Sequence, residues 1–370
     1  MKYRILHTEW SSGWGGQEQR ILLECSTIMA MGHDVLIACQ PESGILREAR
    51  KRGIATVETS IRGSWDIRAM VTIGRIIRKH GISVVNTHSG KDTWVGGFAA
   101  RLAGSPLFVR TRHLAIPISN SPLNFIHKLA DGIITTGESV REALISHNRV
   151  SPHRIVSIPT GVPLEKFSPE LDGAAIRREL GIAPGRRVVT IVAILRKIKR
   201  HDLFLEMARQ LLQRYPDLVF LIVGDGPMRD EIIAQRKVSG LEQDVIMTGH
   251  REDIPDIIAA SDIVVLTSDK EGVPQSLSQA MAMAKPVVAA PVGGIPDLVL
   301  DYETGLFADA GSGASFTAKV SELLDNESLR TSLGKSAREH VLNQFTAEIM
   351  AERTIEFYDK LSVLRSQQLQ

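Results

Sequence analysis

The sequence contains only two cysteines, few aromatic residues and no apolar run long enough to span a membrane. Cys25 and Cys39 lie in apolar or strand-like surroundings, which argues against a disulfide framework or a zinc site and favours a reducing compartment. Aromatic residues make up 5% of the chain, which leaves little for stacking on bases and argues against nucleic acid as a partner. The amino-terminal residues lack the apolar stretch of a signal peptide, so we expect a cytoplasmic protein.

Charge is distributed unevenly along the 370 residues. Residues 1–165 carry 20 lysines and arginines against 13 aspartates and glutamates, whereas residues 166–370 carry 24 against 29. The length predicts two domains, and the basic first half would suit an anionic membrane surface or an anionic lipid as a partner. The same excess is equally consistent with an ordinary solvated surface.

Short β-branched runs alternate with longer amphipathic stretches along most of the chain. This alternation predicts an α/β fold in which helices cover both faces of parallel sheets. Turn residues between positions 159 and 169 interrupt the pattern, and beyond residue 346 only one amphipathic helix, at 347–364, remains. The predicted strands are 3–7, 34–39, 83–87, 107–111, 132–136, 188–194, 218–223, 245–248, 263–267 and 286–290.

We therefore predict two doubly wound, Rossmann-like domains that face each other across a cleft. They comprise residues 1–165 and 166–346, and residues 347–370 form a helix that crosses back to the amino-terminal domain. Ligands of such sheets bind beyond the carboxyl ends of the strands, so we expect the site between the domains.

The glycine segment Gly13-Trp14-Gly15-Gly16 follows the first predicted strand and precedes a predicted helix. Glycines allow close backbone approach, and the helix start offers free N–H groups to anions. A dinucleotide-binding fingerprint would need a glycine where Glu18 stands and an acidic residue where Cys39 and Gln40 stand. NAD binding is therefore not expected, while a glycine turn without a ligand stays an alternative.

A second segment, Glu271-Gly272-Val273-Pro274-Gln275, follows the predicted strand 263–267 and leads into a helix. Pro274 suits the first helical turn, and the helix start would present amides and a positive dipole end to phosphates. Gln279 lies on the same helix and faces the cleft if its apolar neighbours face the core. Glu271 is also compatible with an ordinary acidic residue at a helix start.

Cations and histidines follow other predicted strands. Arg196, Lys197, Lys199 and Arg200 come after strand 188–194, where they would form a diphosphate clamp, although such clusters are commonly solvated. His88 and His113 each follow a first-half strand, and two histidines in equivalent positions make a functional role as plausible as a structural one.

Together these segments resemble the retaining glycosyltransferases of family 4, which have the two-domain GT-B fold. The resemblance covers nearly the whole chain. Its most specific part is a signature of Glu, seven residues and Glu: Glu271-Gly272-Val273-Pro274 matches the start, and Gln279-Ala280-Met281-Ala282 matches the helix that follows. Supporting matches, in family order, are residues 223–227, 248–250, 260–262, 286–289, 293–294 and 304–306.

The resemblance implies an acceptor-binding first domain and a donor-binding second domain. Glu271 would contact hydroxyls of the donor sugar, the amides after it and Lys199 would hold the diphosphate, and His113 would lie beside the reacting anomeric carbon. We therefore expect His113, Glu271 and Lys199 as catalytic residues, His88 and His113 on the acceptor side, and a donor site of Gly15, Gly16, Arg196, Lys199, Gly249, Glu271, Gly272, Val273, Pro274, Gln275 and Gln279.

Two positions depart from the family pattern. Gln279 replaces the second glutamate, which holds the nucleotide ribose, and an amide forfeits a charge-assisted hydrogen bond. Ala193-Ile194 replaces the usual Gly-Arg, and we hypothesise that Arg196, two residues further on, substitutes for that arginine. Both departures bear on donor affinity and nucleotide preference.

The resemblance implies retaining transfer of a sugar, without a metal or cofactor, from a UDP- or GDP-type donor to a glycan or lipid-linked acceptor. It places the reaction in lipopolysaccharide or surface polysaccharide biosynthesis at the inner membrane face. Phe125, Ile126 and Leu129 would touch that membrane or form the core face of a helix. The alternatives are a non-catalytic nucleotide-sugar-binding protein, which Gln279 favours, and a nucleotide-sugar epimerase or a phosphorylase on the same fold.

Overall fold

The chain divides into two compact units in a computed structural model that describes residues 1–104, 107–113 and 125–368. One unit comprises Met1–Gly161 together with Ala347–Gln370, and the other comprises Val162–Thr346. The division falls after Gly161, inside the segment of turn residues at 159–169, whereas the sequence pattern places it after residue 165.

In the described part of the first unit, seven parallel strands form one sheet with the order β3-β2-β1-β4-β5-β6-β7. The strands are β1 (Arg4–Glu9), β2 (Asp34–Cys39), β3 (Ala55–Glu58), β4 (Val84–Thr87), β5 (Leu107–Arg112), β6 (Gly132–Thr135) and β7 (Ile155–Ser157). The helices between them are α1 (Gly16–Ala30), α2 (Gly44–Lys51), α3 (Ile67–His80), α4 (Gly90–Leu102), α5 (Ile126–Leu129) and α6 (Glu138–Ser146).

The second unit, all of which is described, has a parallel sheet of six strands with the order β10-β9-β8-β11-β12-β13. The strands are β8 (Val188–Val192), β9 (Val219–Val223), β10 (Val245–Gly249), β11 (Ile263–Leu266), β12 (Val287–Ala289) and β13 (Leu306–Phe307). The helices are α7 (Ala174–Glu179), α8 (His201–Leu212), α9 (Arg229–Val238), α10 (Ile254–Ala260), α11 (Gln275–Ala282), α12 (Gly313–Asp325) and α13 (Glu327–Gln344).

Helices cover both faces of the first sheet, which explains why its central strands are apolar throughout. Ile5 and Leu6 are adjacent on β1 and both fully buried, yet they belong to two different apolar clusters. Successive side chains of a strand point to opposite faces, so one cluster lies on each side of the sheet. Strand β9 is likewise buried along its whole length.

The last helix, α14 (Ala347–Gln368), packs on the first unit. Phe357, Tyr358 and Leu361 are buried in the cluster that includes Ile5. The Tyr358 hydroxyl accepts a hydrogen bond of 3.0 Å from Asn86 Nδ2 at the end of β4. No helix in the described residues is both long and apolar enough to cross a membrane.

Replacing Tyr358 with phenylalanine should destabilise the first unit by about 1–2 kcal/mol, because the Asn86 amide would be left buried without an acceptor. The urea midpoint of Tyr358→Phe measures this loss. Tyr302→Phe is the matched control, because the Tyr302 hydroxyl hydrogen-bonds to Glu322 at the exposed surface. Equal midpoint shifts in the two variants would contradict a structural role for the Asn86–Tyr358 bond.

Candidate active site

In the second unit, Lys199 and Glu271 form an ion pair at the carboxyl edge of the sheet. Lys199 ends a 3₁₀ turn, Lys197–Lys199, that follows β8, and Glu271 lies in the loop that follows β11. The ammonium group contacts Glu271 Oε1, and the Ser268 hydroxyl donates to the same oxygen at 2.6 Å. The two side chains are 19% and 9% exposed. The fold thus brings together two predicted site residues that are 72 positions apart.

Hydrogen bonds to backbone carbonyl groups hold this pair where the strand order reverses. Strands β8 and β11 are neighbours, and a ligand in such a sheet binds beyond the carboxyl ends of the strands at the reversal. The Thr267 hydroxyl donates to the carbonyl oxygens of Lys199 and Arg200, each at 2.9 Å. The Asp269 N–H donates to the Ile198 carbonyl at 2.9 Å. These bonds tie the Glu271 loop to the Lys199 turn.

Two glycines after β12 determine the path of the Glu271 loop. Gly293 has a φ of 60°, and a Cβ there would collide with the carbonyl oxygen of Glu271. A Cβ on Gly294 would lie 2.8 Å from the carbonyl oxygen of Gly272 and 3.1 Å from the nitrogen of Val273. The loop can therefore run this close only because both positions lack a side chain.

Helix α11 begins at Gln275, and Pro274 is its N-cap in an extended conformation with a ψ of 121°. The prediction that Pro274 occupies the first helical turn is therefore wrong by one position. On this helix Leu277 and Met281 are fully buried, whereas Gln279 is half-buried. Gln279 thus lies off the core-facing side.

Arg196 and Gly249 lie at the ends of other strands of this sheet. Arg196 is exposed and lines a cavity of about 300 Å³ with Arg200 and Asp269, and neither Lys199 nor Glu271 lines that cavity. Gly249 ends β10 with a φ of 72°, and its carbonyl accepts the Gly224 N–H at 2.9 Å. A role for either residue in donor binding stays a prediction.

In the first unit, the glycine segment connects β1 to α1. Gly15 is the N-cap of α1, and Gly16 is the first residue of that helix. A Cβ on Gly44, at the start of α2, would lie 2.8 Å from the Gly13 carbonyl oxygen. The backbone of Gly13 therefore packs closely against Gly44, another glycine of the same unit.

Three imidazoles, of His7, His88 and His113, form a hydrogen-bonded chain at the carboxyl edge of the first sheet; we call it the histidine chain. His7 Nδ1 lies 2.8 Å from His88 Nε2, and His88 Nδ1 lies 3.0 Å from His113 Nε2. His7 and His88 are buried and their rings are nearly parallel, with an interplanar angle of 11°, whereas His113 is half-buried. The fold brings the two predicted histidines together and adds His7, whose only signal was a polar residue in an apolar strand.

The histidine chain is uncharged at neutral pH. Burial lowers the pKa of His7 to about 3. Burial also holds the pKa values of His88 and His113 well below their usual range, with smaller contributions from His7 on His88 and from the Arg20 guanidinium on His113. Each ring therefore carries one N–H and one lone pair.

A buried carboxyl pair, Glu9 and Asp92, adjoins the histidine chain. Asp92 accepts the backbone N–H of His88 at 2.8 Å, that of Ser89 at 2.9 Å and the Thr8 hydroxyl at 2.9 Å. The Ser89 hydroxyl lies between the two carboxyl groups. Burial, followed by the charge of Asp92, raises the pKa of Glu9 to about 8. Glu9 accepts the backbone N–H of Ser11 at 2.8 Å and the Gln17 amide, whereas Asp92 accepts three hydrogen bonds besides that of the Ser89 hydroxyl. We therefore assign the charge to Asp92 and the proton to Glu9.

Neither carboxyl group was predicted as a site residue. Ser89 followed three residues later by Asp92 is a capping-box pattern, and the structure contains that box at the start of α4. Glu9 directly precedes the glycine segment. These two local signals could have drawn attention to the pair, but the sequence does not indicate that they meet.

Residues 14–166 match the family described as Glycosyltransferase Family 4, and residues 172–340 match the family described as Glycosyl transferases group 1. The chain belongs to glycosyltransferase family 4. This glycosyltransferase is 27% identical to UDP-Gal:alpha-D-GlcNAc-diphosphoundecaprenol alpha-1,3-galactosyltransferase of Escherichia coli, over 96% of this chain and 97% of the relative.

Two solved structures share the fold of this glycosyltransferase. A glycosyltransferase from Rickettsia africae has a TM-score of 0.86 at 20% identity and covers 97% of this chain and 98% of its own. Anabaena Alr3699/HepE in complex with UDP-glucose has a TM-score of 0.82 at 20% identity over 97% of this chain and 99% of its own. The predicted fold class, two Rossmann-like α/β domains of the GT-B type, is confirmed.

Replacing Glu9 with glutamine, the isostere of its protonated form, should change how stability depends on pH. Between pH 4.5 and 8 the carboxyl group is ionised in the unfolded chain and protonated in the folded protein. Unfolding therefore releases a proton, and the wild type loses stability as pH rises through this window. Glu9→Gln should match the wild type near pH 4.5 and exceed it by roughly 4 kcal/mol at pH 8, because each pKa unit of difference corresponds to about 1.4 kcal/mol.

Urea midpoints measured from pH 4.5 to 8.5 test this expectation. Glu58→Gln is the control, because Glu58 is an exposed carboxylate at the end of β3. A difference between Glu9→Gln and the wild type that stays constant with pH would mean that Glu9 is ionised in the folded protein.

Proposed function

We propose that this glycosyltransferase moves a sugar from a nucleoside diphosphate donor to a glycan or lipid-linked acceptor, with retention at the anomeric carbon. The product belongs to lipopolysaccharide or another bacterial surface polysaccharide. The ion pair of Lys199 and Glu271, at the strand-order reversal of the second sheet, is the observation that carries this proposal.

The ion pair suits the recognition of a sugar diphosphate. An ammonium group has three N–H donors, and contact with Glu271 leaves donors of Lys199 for phosphate oxygens. Glu271 is acceptor-only when ionised, which suits the hydroxyl groups of a sugar. The amides of Gly272, Val273 and Gln275 would bind the diphosphate, while Gln279 would bind the nucleoside.

Retention follows from a front-face displacement. The acceptor oxygen forms a bond to the anomeric carbon on the face from which the diphosphate oxygen departs, and the hydroxyl proton passes to that departing oxygen. Lys199 stabilises the negative charge that develops on the diphosphate. Electrostatic stabilisation of this kind is usually the largest single contribution to catalysis. His113, with His88 behind it, would lie beside the anomeric carbon.

UDP is the favoured nucleotide. The Escherichia coli relative is named for UDP-Gal as its donor, and Alr3699/HepE was solved with UDP-glucose. The same Escherichia coli relative is named for a diphosphoundecaprenol acceptor, which supports a lipid-linked acceptor and work at the inner face of the cytoplasmic membrane.

An aromatic patch on the first unit supports the membrane contact. It consists of Trp65, which is 64% exposed, with Trp94 and Phe98 of α4 and Phe125. The Trp65 ring lies 5.0 Å from Trp94 and 5.6 Å from Phe98, and Phe125 packs edge-on against Trp94 at 5.2 Å. Tryptophan rings favour the membrane–water boundary because they are apolar and carry one N–H donor.

Apolar and basic residues extend this aromatic patch. Ile67 and Val71 of α3 are 72% and 48% exposed, and Arg62 and Arg68 are exposed on either side of Trp65 in the chain. Cations beside an apolar surface suit an anionic leaflet. Of the three residues considered for the membrane, Ile126 is fully buried in the core, so only Phe125 and Leu129, both half-buried, remain candidates.

Donor binding can be tested by the shift in melting temperature with UDP-, GDP-, ADP- and CMP-sugars, followed by a transfer assay with the nucleotide that binds. Selective binding to the folded state must raise its stability, and we expect a shift with UDP-sugars. Lys199→Gln should abolish the shift and lower the turnover rate by about 100-fold or more, because it removes the charge that faces the leaving diphosphate.

Lys237→Gln is the control, since Lys237 is an exposed lysine of the second unit near the end of α9 and has no expected role in donor binding. Equal rates in Lys199→Gln and the wild type would refute the role of Lys199. Binding of a UDP-sugar without transfer or hydrolysis would instead support the non-catalytic alternative, which the replacement of the second glutamate by Gln279 favours.

Membrane contact can be tested by sedimentation with vesicles that contain phosphatidylglycerol or only phosphatidylcholine. We expect binding to the anionic vesicles, and Trp65→Ser should weaken it by about tenfold because its exposed ring no longer enters the interface. Val238→Ser is the control, since Val238 is an apolar residue of the second unit and is 89% exposed. Equal binding of the wild type and Trp65→Ser would show that the aromatic patch does not contact the membrane.

A further inference from the structure

Three neighbouring strands of the first sheet each place one imidazole of the histidine chain at its carboxyl edge. His7 lies on β1, His88 directly follows β4, and His113 directly follows β5. In the sheet β4 lies between β1 and β5, so the order of the rings follows the order of the strands. The two ring-to-ring distances, 2.8 and 3.0 Å, are those of hydrogen bonds.

The two hydrogen bonds couple the tautomers of all three rings. A neutral imidazole has one N–H and one lone pair, so each bond needs a donor on one ring and an acceptor on the next. If His88 donates from Nδ1 to His113, it must accept from His7 at Nε2. Only two arrangements are therefore consistent with both bonds, and they run in opposite directions along the chain.

The buried end of the histidine chain distinguishes the two arrangements. His7 Nε2 is buried and has no hydrogen-bond partner among the residues that the structure describes. In one arrangement this nitrogen carries a lone pair, and in the other it carries an N–H. A buried N–H without an acceptor is the rarer and costlier of the two defects. The proton of His7 therefore belongs on Nδ1.

From this we infer that His7 is a positioning residue, which acts through His88 to keep His113 in the tautomer with its proton on Nδ1. His7 Nδ1–H donates to His88 Nε2, and His88 Nδ1–H donates to His113 Nε2. The Nε2 lone pair of His113 is thereby occupied, and Nδ1–H remains as the donor that this ring offers to an oxygen of the substrate. The consequence for catalysis rests on the proposed role of His113, whereas the tautomer does not.

Nitrogen-15 NMR of the histidine-labelled protein reads the tautomers directly, because the two-bond couplings to the ring protons differ between the Nδ1–H and Nε2–H forms. The chain has 11 histidines, and the signals that disappear in His113→Gln identify His113. We expect the Nδ1–H form at both His88 and His113 in the wild type. An Nε2–H form at His113 would overturn the inference without any variant of His7.

Two substitutions of His7 separate positioning from packing. His7→Phe keeps an aromatic ring but removes the donor, whereas His7→Asn places an amide N–H near the position of Nδ1. His7→Phe should give mixed tautomers at His113 and lower kcat by about tenfold or more with little change in the KM for the donor, since a ring in the wrong tautomer fails in catalysis rather than in binding. His7→Asn should restore both the single tautomer and most of kcat.

The outcomes separate this inference from the proposed function. A single Nδ1–H tautomer that survives in His7→Phe, or an equal loss of kcat in both variants, would show that His7 only fills space. If His7→Phe does not fold, the wild-type spectrum still shows the tautomer of His113, and the comparison of His7→Asn with the wild type still tests the role of His7. Absence of transfer from any nucleotide sugar would refute the proposed function and leave the tautomer measurement valid.

Discussion

Both parallel sheets reverse their strand order beside their first strand, between β1 and β4 in the first unit and between β8 and β11 in the second. All strands of such a sheet end at the same edge, and at the reversal the connecting helices turn to opposite faces and leave a crevice. Lys199 and Glu271 flank the crevice of the second sheet, while His7 and Ser89 flank that of the first. The chemistry of both units therefore depends on the order in which the strands pair.

The two crevices are built on opposite electrostatic principles. The first unit buries neutral imidazoles and a protonated Glu9, and a buried Arg20 lies near the histidine chain and 3.5 Å from an equally buried Glu24. Burial of such groups is costly unless hydrogen bonds compensate, and the resulting network holds each side chain in one arrangement. The second unit instead leaves its cations partly exposed, with Lys199 19% and Arg200 25% exposed, which suits a charged diphosphate.

Sequence patterns were sufficient for the long central strands and for the last helix, because a strand buried on both faces is apolar along its whole length. Strands β3, β7 and β13 were not among those expected, and each is an edge strand of its sheet. An edge strand is paired on one side only. Strand β13 has two residues, β7 has three, and β3 is half-exposed, so none carries a recognisable hydrophobic period.

The sequence by itself determined the fold class, the family and the separate segments around Gly15, His88, His113, Lys199 and Glu271, because each rests on local order along the chain. Tertiary structure alone decided that Lys199 meets Glu271, that His7 joins His88 and His113, and that Glu9 shares a serine with Asp92. It also decided that Arg196 lines a cavity that neither member of the ion pair lines. The reason is that strand pairing brings together residues far apart in the chain, and that burial, which sets their protonation, exists only once the sheet is covered.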